Sequence, residues 1–280
     1  MQQPTDHFID VNDIKLHYVD HGGDGPILIM MHGLTANGHA FDGIAAAGLA
    51  KSFRLICPDL RGRGQSDHPA FHYTFEDHAK DIVGLVKHLG VDKVHLAGHS
   101  FGGYLAFYIA VSYPLIADKI VILDAAKAMN PNAANMLGAA VGRLSATYPS
   151  FDDYLKEVKA APYLTFWDDH MLSYYQADVK TNEDGSVRPR SSITDIIEIS
   201  YNVANIDWPY YIERVEQPTI IINALDVYTL GEPLLPDNIA MDTVGMMQDA
   251  KYIAVDGNHQ TMLYGDGAIQ ITKAIKDFLL

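Results

Sequence analysis

The chain is poor in cysteine and in basic residues. Cys57 is the single cysteine among 280 residues, so no disulfide can form within the chain. There are 20 Lys and Arg against 35 Asp and Glu, which gives a formal net charge of −15. Because such a surface repels phosphate groups and anionic lipids, we expect neither nucleic acid nor a membrane surface as a partner.

Long hydrophobic runs and a secretion signal are also missing from the sequence. No apolar run approaches the roughly 20 residues that span a bilayer. The first six residues, MQQPTD, have neither the basic start nor the apolar stretch of a signal peptide. These absences predict a cytoplasmic protein. We expect it to be a monomer or homodimer with a small molecule as its partner.

Short apolar runs alternate with helical patterns along most of the chain. The predicted strands are residues 8–11, 14–19, 26–31, 54–58, 94–97, 119–123, 219–222 and 252–255, and the predicted helices are residues 75–89, 101–111 and 268–280. Continuous apolar runs are typical of strands that are covered on both faces. The alternation therefore predicts an α/β fold with a mostly parallel sheet flanked by helices.

The alternation stops after residue 123. Residues 129–205 have no buried-strand run, are rich in Tyr, Trp and Asp, and contain a turn at residues 183–186. We interpret this segment as a mostly helical lid inserted into the sheet domain after its sixth strand. Residues 1–128 and 206–280 are then expected to form the core domain.

The strongest chemical signal is a G-x-S-x-G motif formed by Gly98, Ser100 and Gly102. It follows the strand 94–97 and precedes the helix 101–111. A serine on such a sharp strand-to-helix turn is pushed out above the sheet as a nucleophile. Ser100 is therefore the candidate nucleophile.

Two further segments supply the groups that a serine nucleophile needs. His259 follows the last strand, where it can act as the base that activates Ser100. The turn at His32-Gly33 places the backbone N–H of Leu34 near the substrate, and the N–H of Phe101 is the second donor expected for an oxyanion hole. His32 itself is interpreted as a structural residue.

These motifs resemble those of the α/β-hydrolase family over nearly the whole chain, most weakly in the lid. The similarity includes the His-Gly turn, the final Asn-His loop and the segment PDLRGRGQSD at residues 58–67. The resemblance implies an eight-stranded sheet, an oxyanion hole and a Ser-Asp-His triad. It also implies that the chain needs no cofactor or metal.

The acid of the triad has two candidates. Asp226 follows the seventh strand, where the family usually keeps this residue, but it falls one position early and Ala224 replaces the usual glycine. Asp124 follows the sixth strand, an alternative position used by some family branches, including certain haloalkane dehalogenases and amide hydrolases. The irregular segment at Asp226 favours Asp124 and leaves Asp226 as the alternative.

A serine nucleophile limits the reactions that can be expected of this chain. Haloalkane dehalogenases and epoxide hydrolases of this fold attack with aspartate, so Ser100 argues against those activities. Among the serine hydrolases, we expect a carboxylesterase that forms an acyl-enzyme, because it makes the fewest demands on the pocket. The alternatives are hydrolysis of an amide, a lactone or a carbon–carbon bond and, outside the hydrolases, a ligand receptor or a lyase. Gly33, Tyr163, Trp167 and Tyr201 are predicted to contact the substrate, the aromatic rings forming an amphipathic wall.

Overall fold

A computed structural model describes residues 3–280, so the first two residues of the predicted core segment 1–128 lie outside the described part. The strands are β1 (Thr5–Val11), β2 (Ile14–Asp20), β3 (Ile27–Met31), β4 (Arg54–Pro58), β5 (Val94–His99), β6 (Ala117–Leu123), β7 (Val179–Thr181), β8 (Val187–Pro189), β9 (Thr219–Ala224) and β10 (Ala250–Val255). The helices are α1 (Asp42–Ala46), α2 (Phe75–His88), α3 (Phe101–Ser112), α4 (Ala133–Met136), α5 (Gly138–Gly142), α6 (Phe151–Lys159), α7 (Met171–Asp178), α8 (Ile193–Ala204), α9 (Trp208–Ile212), α10 (Asp237–Met246) and α11 (Gly265–Leu279). Within residues 3–280, no helix combines the length and the apolar character needed to cross a membrane.

Eight strands form one sheet in the order β1-β2-β4-β3-β5-β6-β9-β10. Strand β2 pairs antiparallel with β1 and β4, and the pairs from β4 to β10 are parallel. Each predicted strand overlaps an observed strand of this sheet, and the predicted fold class is confirmed. The parallel strands end at one edge, where the side chains that follow them are brought together.

The central strands bury both faces, which explains their continuous apolar runs. In β3, Ile29 and Met31 pack in a cluster with α2 and α3, whereas Leu28 and Met30 pack in a second cluster with α1 and α11. All four side chains are fully buried. Each contributes roughly 1.5–3 kcal/mol of transfer free energy. This core is the rigid support for the loops at the carboxyl edge of the sheet.

Residues 129–205, called the cap segment below, lie between β6 and β9. They contain helices α4 to α8 and a short antiparallel hairpin of β7 and β8. The turn at residues 183–186 joins those two strands, and Asn182 N–H bonds the carbonyl of Ser186 at 2.8 Å. The hairpin was not expected, because strands of three residues with exposed members give no apolar run.

Candidate active site

Ser100 lies on the turn between β5 and α3 in a strained conformation, with φ 53° and ψ −115°. Its N–H bonds the carbonyl of Leu123 at the end of β6 at 2.9 Å. A Cβ atom on Gly98 would lie 2.0 Å from the carbonyl oxygen of Gly102, and one on Gly102 would lie 2.0 Å from that of Met31. Only glycine fits at both positions, and the turn presents Ser100 at the carboxyl edge of the sheet.

Asp124 is joined to His259 at the same edge. Asp124 follows β6 with φ 53° and is fully buried. Its Oδ1 accepts the N–H of Ala224 at 2.9 Å, and its Oδ2 lies 2.6 Å from Nδ1 of His259. An ionised carboxylate can only accept a hydrogen bond, so Nδ1 carries the ring proton and donates it to Asp124. Nε2 of the neutral ring is then available as a proton acceptor.

Asp226 does not contact His259. Its Oδ2 accepts the N–H of Gly257 at 3.2 Å, and its own N–H bonds the carbonyl of Gly257 at 3.1 Å. Both neighbours of Asp226, Leu225 and Val227, are exposed. Asp226 therefore braces the loop that precedes His259, while Asp124 contacts the imidazole.

Ser100 and His259 line the same cavity. Within the described part of the chain, the Ser100 hydroxyl has no hydrogen-bond partner, and Nδ1 of His259 is occupied by Asp124. In enzymes without substrate, catalytic hydrogen bonds are often long and tighten when the substrate binds. Ser100 and His259, the candidate nucleophile and the candidate base, therefore line one common cavity.

His32 fixes the peptide between Gly33 and Leu34. The N–H of Leu60 donates to His32 Nε2 at 3.0 Å, so the proton of the ring is on Nδ1, which donates to the carbonyl of Gly33 at 2.7 Å. Burial, reinforced by the positive charge of Arg63, lowers the pKa of His32 to about 4. His32 is therefore neutral and uses both nitrogens on backbone groups, in agreement with its structural interpretation.

The backbone N–H groups of Leu34 and Phe101 are free to bind a negative charge. Neither donates a hydrogen bond to any residue in the range 3–280, and both residues line the cavity beside Ser100. A Cβ atom on Gly33 would lie 3.6 Å from Cβ of Ser100, so the turn at Gly33 packs directly on Ser100. Phe101 begins α3, where the first N–H groups have no partner within the helix. Two such donors can stabilise an oxyanion.

The cavity has a volume of about 480 Å³ and a mainly apolar wall. Representative wall residues are Leu34, Phe101, Tyr104, Leu137, Val141 and Val203. None of the described residues that line it is Lys, Arg, Asp or Glu. Across residues 3–280, no three His, Cys, Asp or Glu side chains are grouped closely enough to hold a metal ion. The cavity suits an uncharged, largely apolar ligand.

Of the residues predicted to contact substrate, Gly33 lines the cavity and Tyr163 does not. Tyr163 is buried with its ring stacked on Tyr228, the centroids 5.3 Å apart. Its carbonyl accepts a hydrogen bond from Nδ2 of Asn258 at 2.9 Å. Tyr163 thus joins the cap segment to the loop that carries His259.

The other two predicted rings also lie outside the cavity wall. Trp167 stacks on Tyr175 with centroids 5.9 Å apart, and Tyr201 is 69% exposed on the outer face of α8. The wall is instead completed by Tyr104, Tyr174 and Tyr228. Of these three, only Tyr174 belongs to the cap segment, since Tyr104 lies on α3 and Tyr228 lies in the loop after β9.

His99 is a site residue that the sequence reasoning missed. It precedes Ser100, lines the cavity, and its Nε2 lies 2.8 Å from the carbonyl oxygen of His259. Burial lowers the pKa of His99 well below its usual value, so the ring is neutral and donates from Nε2. The only available signal was its place inside the G-x-S-x-G motif. His99 holds the backbone of the His259 loop.

Comparison with known proteins gives a family match and several partial relatives. The model of the alpha/beta hydrolase fold family matches residues 26–242. The soluble epoxide hydrolase of Corynebacterium sp. (strain C12) is 38% identical over 120 residues, which cover 43% of this chain and 41% of that protein. The 2-(acetamidomethylene)succinate hydrolase of Mesorhizobium japonicum is 34% identical over 160 residues, 56% of this chain and 55% of that protein. The chain thus spans less than two thirds of the length of these relatives.

A solved structure resembles the whole chain. The crystal structure of E-2-(acetamidomethylene)succinate hydrolase superposes with a TM-score of 0.86 and covers 99% of both chains at 23% sequence identity. At that identity the likeness shows the fold alone.

Proposed function

This chain belongs to the α/β-hydrolase fold family, and on that premise we propose that it is a serine carboxylesterase for small to medium, uncharged esters. One observation carries the proposal. The strained turn at Ser100 opens into the same cavity as His259, and Nδ1 of His259 lies 2.6 Å from the buried carboxylate of Asp124. Nucleophile, base and orienting acid are the three parts that acyl transfer to serine needs.

In the proposed mechanism, the Ser100 oxygen attacks the ester carbonyl and its proton passes to Nε2 of His259. The tetrahedral oxyanion is bound by the N–H groups of Leu34 and Phe101, and Asp124 stabilises the imidazolium. Collapse expels the alcohol, which takes the proton from His259. Water then repeats the sequence on the acyl-enzyme and releases the acid.

The cavity wall supports an uncharged substrate. A carboxylate placed there would lose its hydration without gaining a basic partner, which costs several kcal/mol. The relative named as a 2-(acetamidomethylene)succinate hydrolase acts on a derivative of a dicarboxylic acid. None of the described residues that line this cavity is a Lys or Arg, which such a substrate would require to bind its carboxylates. We therefore propose a substrate without carboxylate groups near the reacting bond.

The cap segment is proposed to act as a lid over the acyl or alcohol group. It contributes Ala133 from α4, Leu137 from between α4 and α5, Val141 from α5 and Val203 from α8 to the cavity wall. This contribution supports the predicted division into a core of residues 1–128 and 206–280 and a lid of residues 129–205. The size of the cavity then limits the chain length of the substrate.

The test is initial-rate hydrolysis of p-nitrophenyl esters from acetate to decanoate. We expect turnover with a maximum at short to medium chains and a loss of about 10³-fold or more in Ser100→Ala. Ser112→Ala, an exposed serine at the other end of α3, is the matched control and should keep wild-type rates. Activity in Ser100→Ala within tenfold of wild type would overturn the proposal.

The alternatives give different results in the same experiment. A folded protein that labels with a fluorophosphonate at Ser100 but turns over no ester would be an amide, lactone or carbon–carbon bond hydrolase, or a receptor. Rapid quench followed by mass spectrometry separates the lyase, because a lyase forms no acyl adduct on Ser100.

A further inference from the structure

Arg143 of the cap segment is buried, with 7% of its surface exposed, and all of its donors are occupied. Nε bonds Oδ2 of Asp178 at 3.3 Å, and Nη2 bonds Oδ1 of Asp178 at 3.2 Å and the carbonyl of Thr35 at 3.1 Å. Nη1 bonds Oγ1 of Thr35 at 3.4 Å and the carbonyl of Ala140. A guanidinium has five N–H groups, and these are five acceptors. No donor remains for a substrate.

Asp178 balances the charge of Arg143 inside the protein. It ends α7, is almost fully buried, and also accepts a hydrogen bond from the hydroxyl of Tyr154. A bidentate pair of this kind fixes the orientation of the guanidinium plane. Arg143 is therefore held by α7, and two of its three remaining N–H groups donate to Thr35.

Thr35 belongs to the turn that carries the proposed oxyanion donor. Residues 33–36 form this turn, which is closed by a hydrogen bond of 3.2 Å from Ala36 N–H to the carbonyl of Gly33. His32 of the core also bonds that carbonyl, and Arg143 of the cap segment bonds both the hydroxyl and the carbonyl of Thr35. Leu34 is thus held from the core on one side and from the cap segment on the other.

We propose that Arg143 is a positioning residue that aims the N–H of Leu34 at the oxyanion, so that the placement of the cap segment controls the oxyanion hole. The inference rests on the proposed function, because it concerns the oxyanion donor of acyl transfer. An oxyanion exists only in the transition state and in the intermediates beside it. A misplaced donor therefore lowers kcat and leaves KM nearly unchanged.

The main variant is Arg143→Met combined with Asp178→Leu. Removing both charges avoids leaving one of them buried and unpaired, so the variant is expected to fold. Loss of an entire oxyanion donor costs about 10²–10³ in kcat, and we expect a misplaced one to cost about 10- to 100-fold. KM should change less than threefold. Arg188→Met, an exposed arginine of the same segment, is the matched control.

An alkylboronic acid provides a second measurement that a purely structural role would not affect. Its boron accepts the Ser100 oxygen, the serine proton passes to His259, and the tetrahedral adduct carries the negative charge that the oxyanion hole binds. Its affinity should fall in the double variant by about the same factor as kcat. Circular dichroism and thermal unfolding establish that the variant is folded.

The outcomes separate this inference from the proposed function. If wild type turns over esters and the folded double variant matches it in kcat and in boronic acid affinity, the positioning role is overturned. If wild type neither turns over esters nor binds the boronic acid, the proposed function fails instead. Should the double variant not fold, Arg143→Lys and Asp178→Asn provide the same test, and unchanged kcat in both would overturn the inference.

Discussion

The carboxylate of Asp124 lies 2.6 Å from Nδ1 of His259, although the two residues are 135 positions apart in the sequence. Asp124 follows β6 and His259 follows β10, with β9 between them in the sheet. The N–H of Ala224, at the end of β9, holds the other carboxylate oxygen. The carboxylate of Asp124 therefore reaches the imidazole of His259 past the end of an intervening strand, and a backbone hydrogen bond fixes its position there.

We predict that Asp124→Asn lowers kcat by up to about 10⁴, because an amide keeps the shape but cannot stabilise the imidazolium. Asp226→Asn is the matched control, since Asp226 braces a loop at the surface, and it should stay within about threefold of wild type. The measurement is kcat on the best p-nitrophenyl ester. The reverse ranking of the two variants would assign the acid to Asp226.

The cavity should reject a charged acyl group. We predict that kcat/KM for p-nitrophenyl hydrogen glutarate is at least about 10²-fold lower than for p-nitrophenyl valerate, since its carboxylate finds no partner there. The leaving group is the same in both esters, so the ratio reports the acyl site.

Leu137→Lys adds a positive charge to the cavity wall. It should therefore reduce the ratio of kcat/KM for the valerate ester to kcat/KM for the hydrogen glutarate ester. Leu172→Lys changes a residue outside the cavity and should not. Equal kcat/KM values for the two esters in wild type would contradict an uncharged substrate.

The protein should lose stability as the pH falls from about 6.5 to 4. Burial lowers the pKa of His32 to about 4 and those of His78 and His99 well below the ordinary 6.5. The unfolded chain therefore binds protons below pH 6.5 while the folded chain does not, so unfolding becomes more favourable. The neutral His32 alone contributes about 3 kcal/mol to the free energy of unfolding. This contribution is fully present above pH 6.5 and is lost as the pH falls to 4.

Thermal unfolding between pH 8 and pH 4.5 measures this effect. His32→Asn removes the proton that His32 takes up on unfolding and should make the decline shallower. A midpoint that stays constant from pH 7 to pH 4.5 in wild type would contradict the prediction.

Gly102→Ala should destabilise the fold by at least about 3 kcal/mol, because its Cβ would lie 2.0 Å from the backbone oxygen of Met31. Gly142→Ala is the matched control. Gly142 is helical, with φ −58° and ψ −35°, and no atom lies within 4 Å of an added Cβ. Alanine there should stabilise by up to about 1 kcal/mol. Urea unfolding gives both values, and a stable Gly102→Ala variant would contradict the close packing at the turn.

The sheet and its order of elements could be predicted because the central strands are buried on both faces. A short apolar run such as residues 27–31, with turns and helices on either side, is best accommodated as a strand covered on both faces. Ser100 could be placed for a related reason, since Gly98 and Gly102 have no room for a side chain. In both cases a constraint of the tertiary structure, burial on two faces or lack of space for a side chain, leaves a local pattern in the sequence.

The inner wall of the cap segment could not be predicted in this way. Tyr174 lines the cavity whereas Tyr201 is exposed, although both are tyrosines on helices of the same segment. Helix α7, which carries Tyr174, has no distinct apolar face, so its sequence does not tell a ring that lines the cavity from one that points elsewhere. The pairing of Arg143 with Thr35 joins residues 108 positions apart and has no local signal.

Hydrogen bonds beside the site have one partner in the cap segment and the other in the core. Arg143 supplies the donors and Thr35 the acceptors at the turn beside Ser100, while Asn258 donates to the carbonyl of Tyr163 beside His259. A cap transplanted from another hydrolase would have to supply partners for Thr35 and Asn258 to keep these contacts. A chimera designed to acquire a new specificity would otherwise have to carry residues 33–36 and the His259 loop along with the cap.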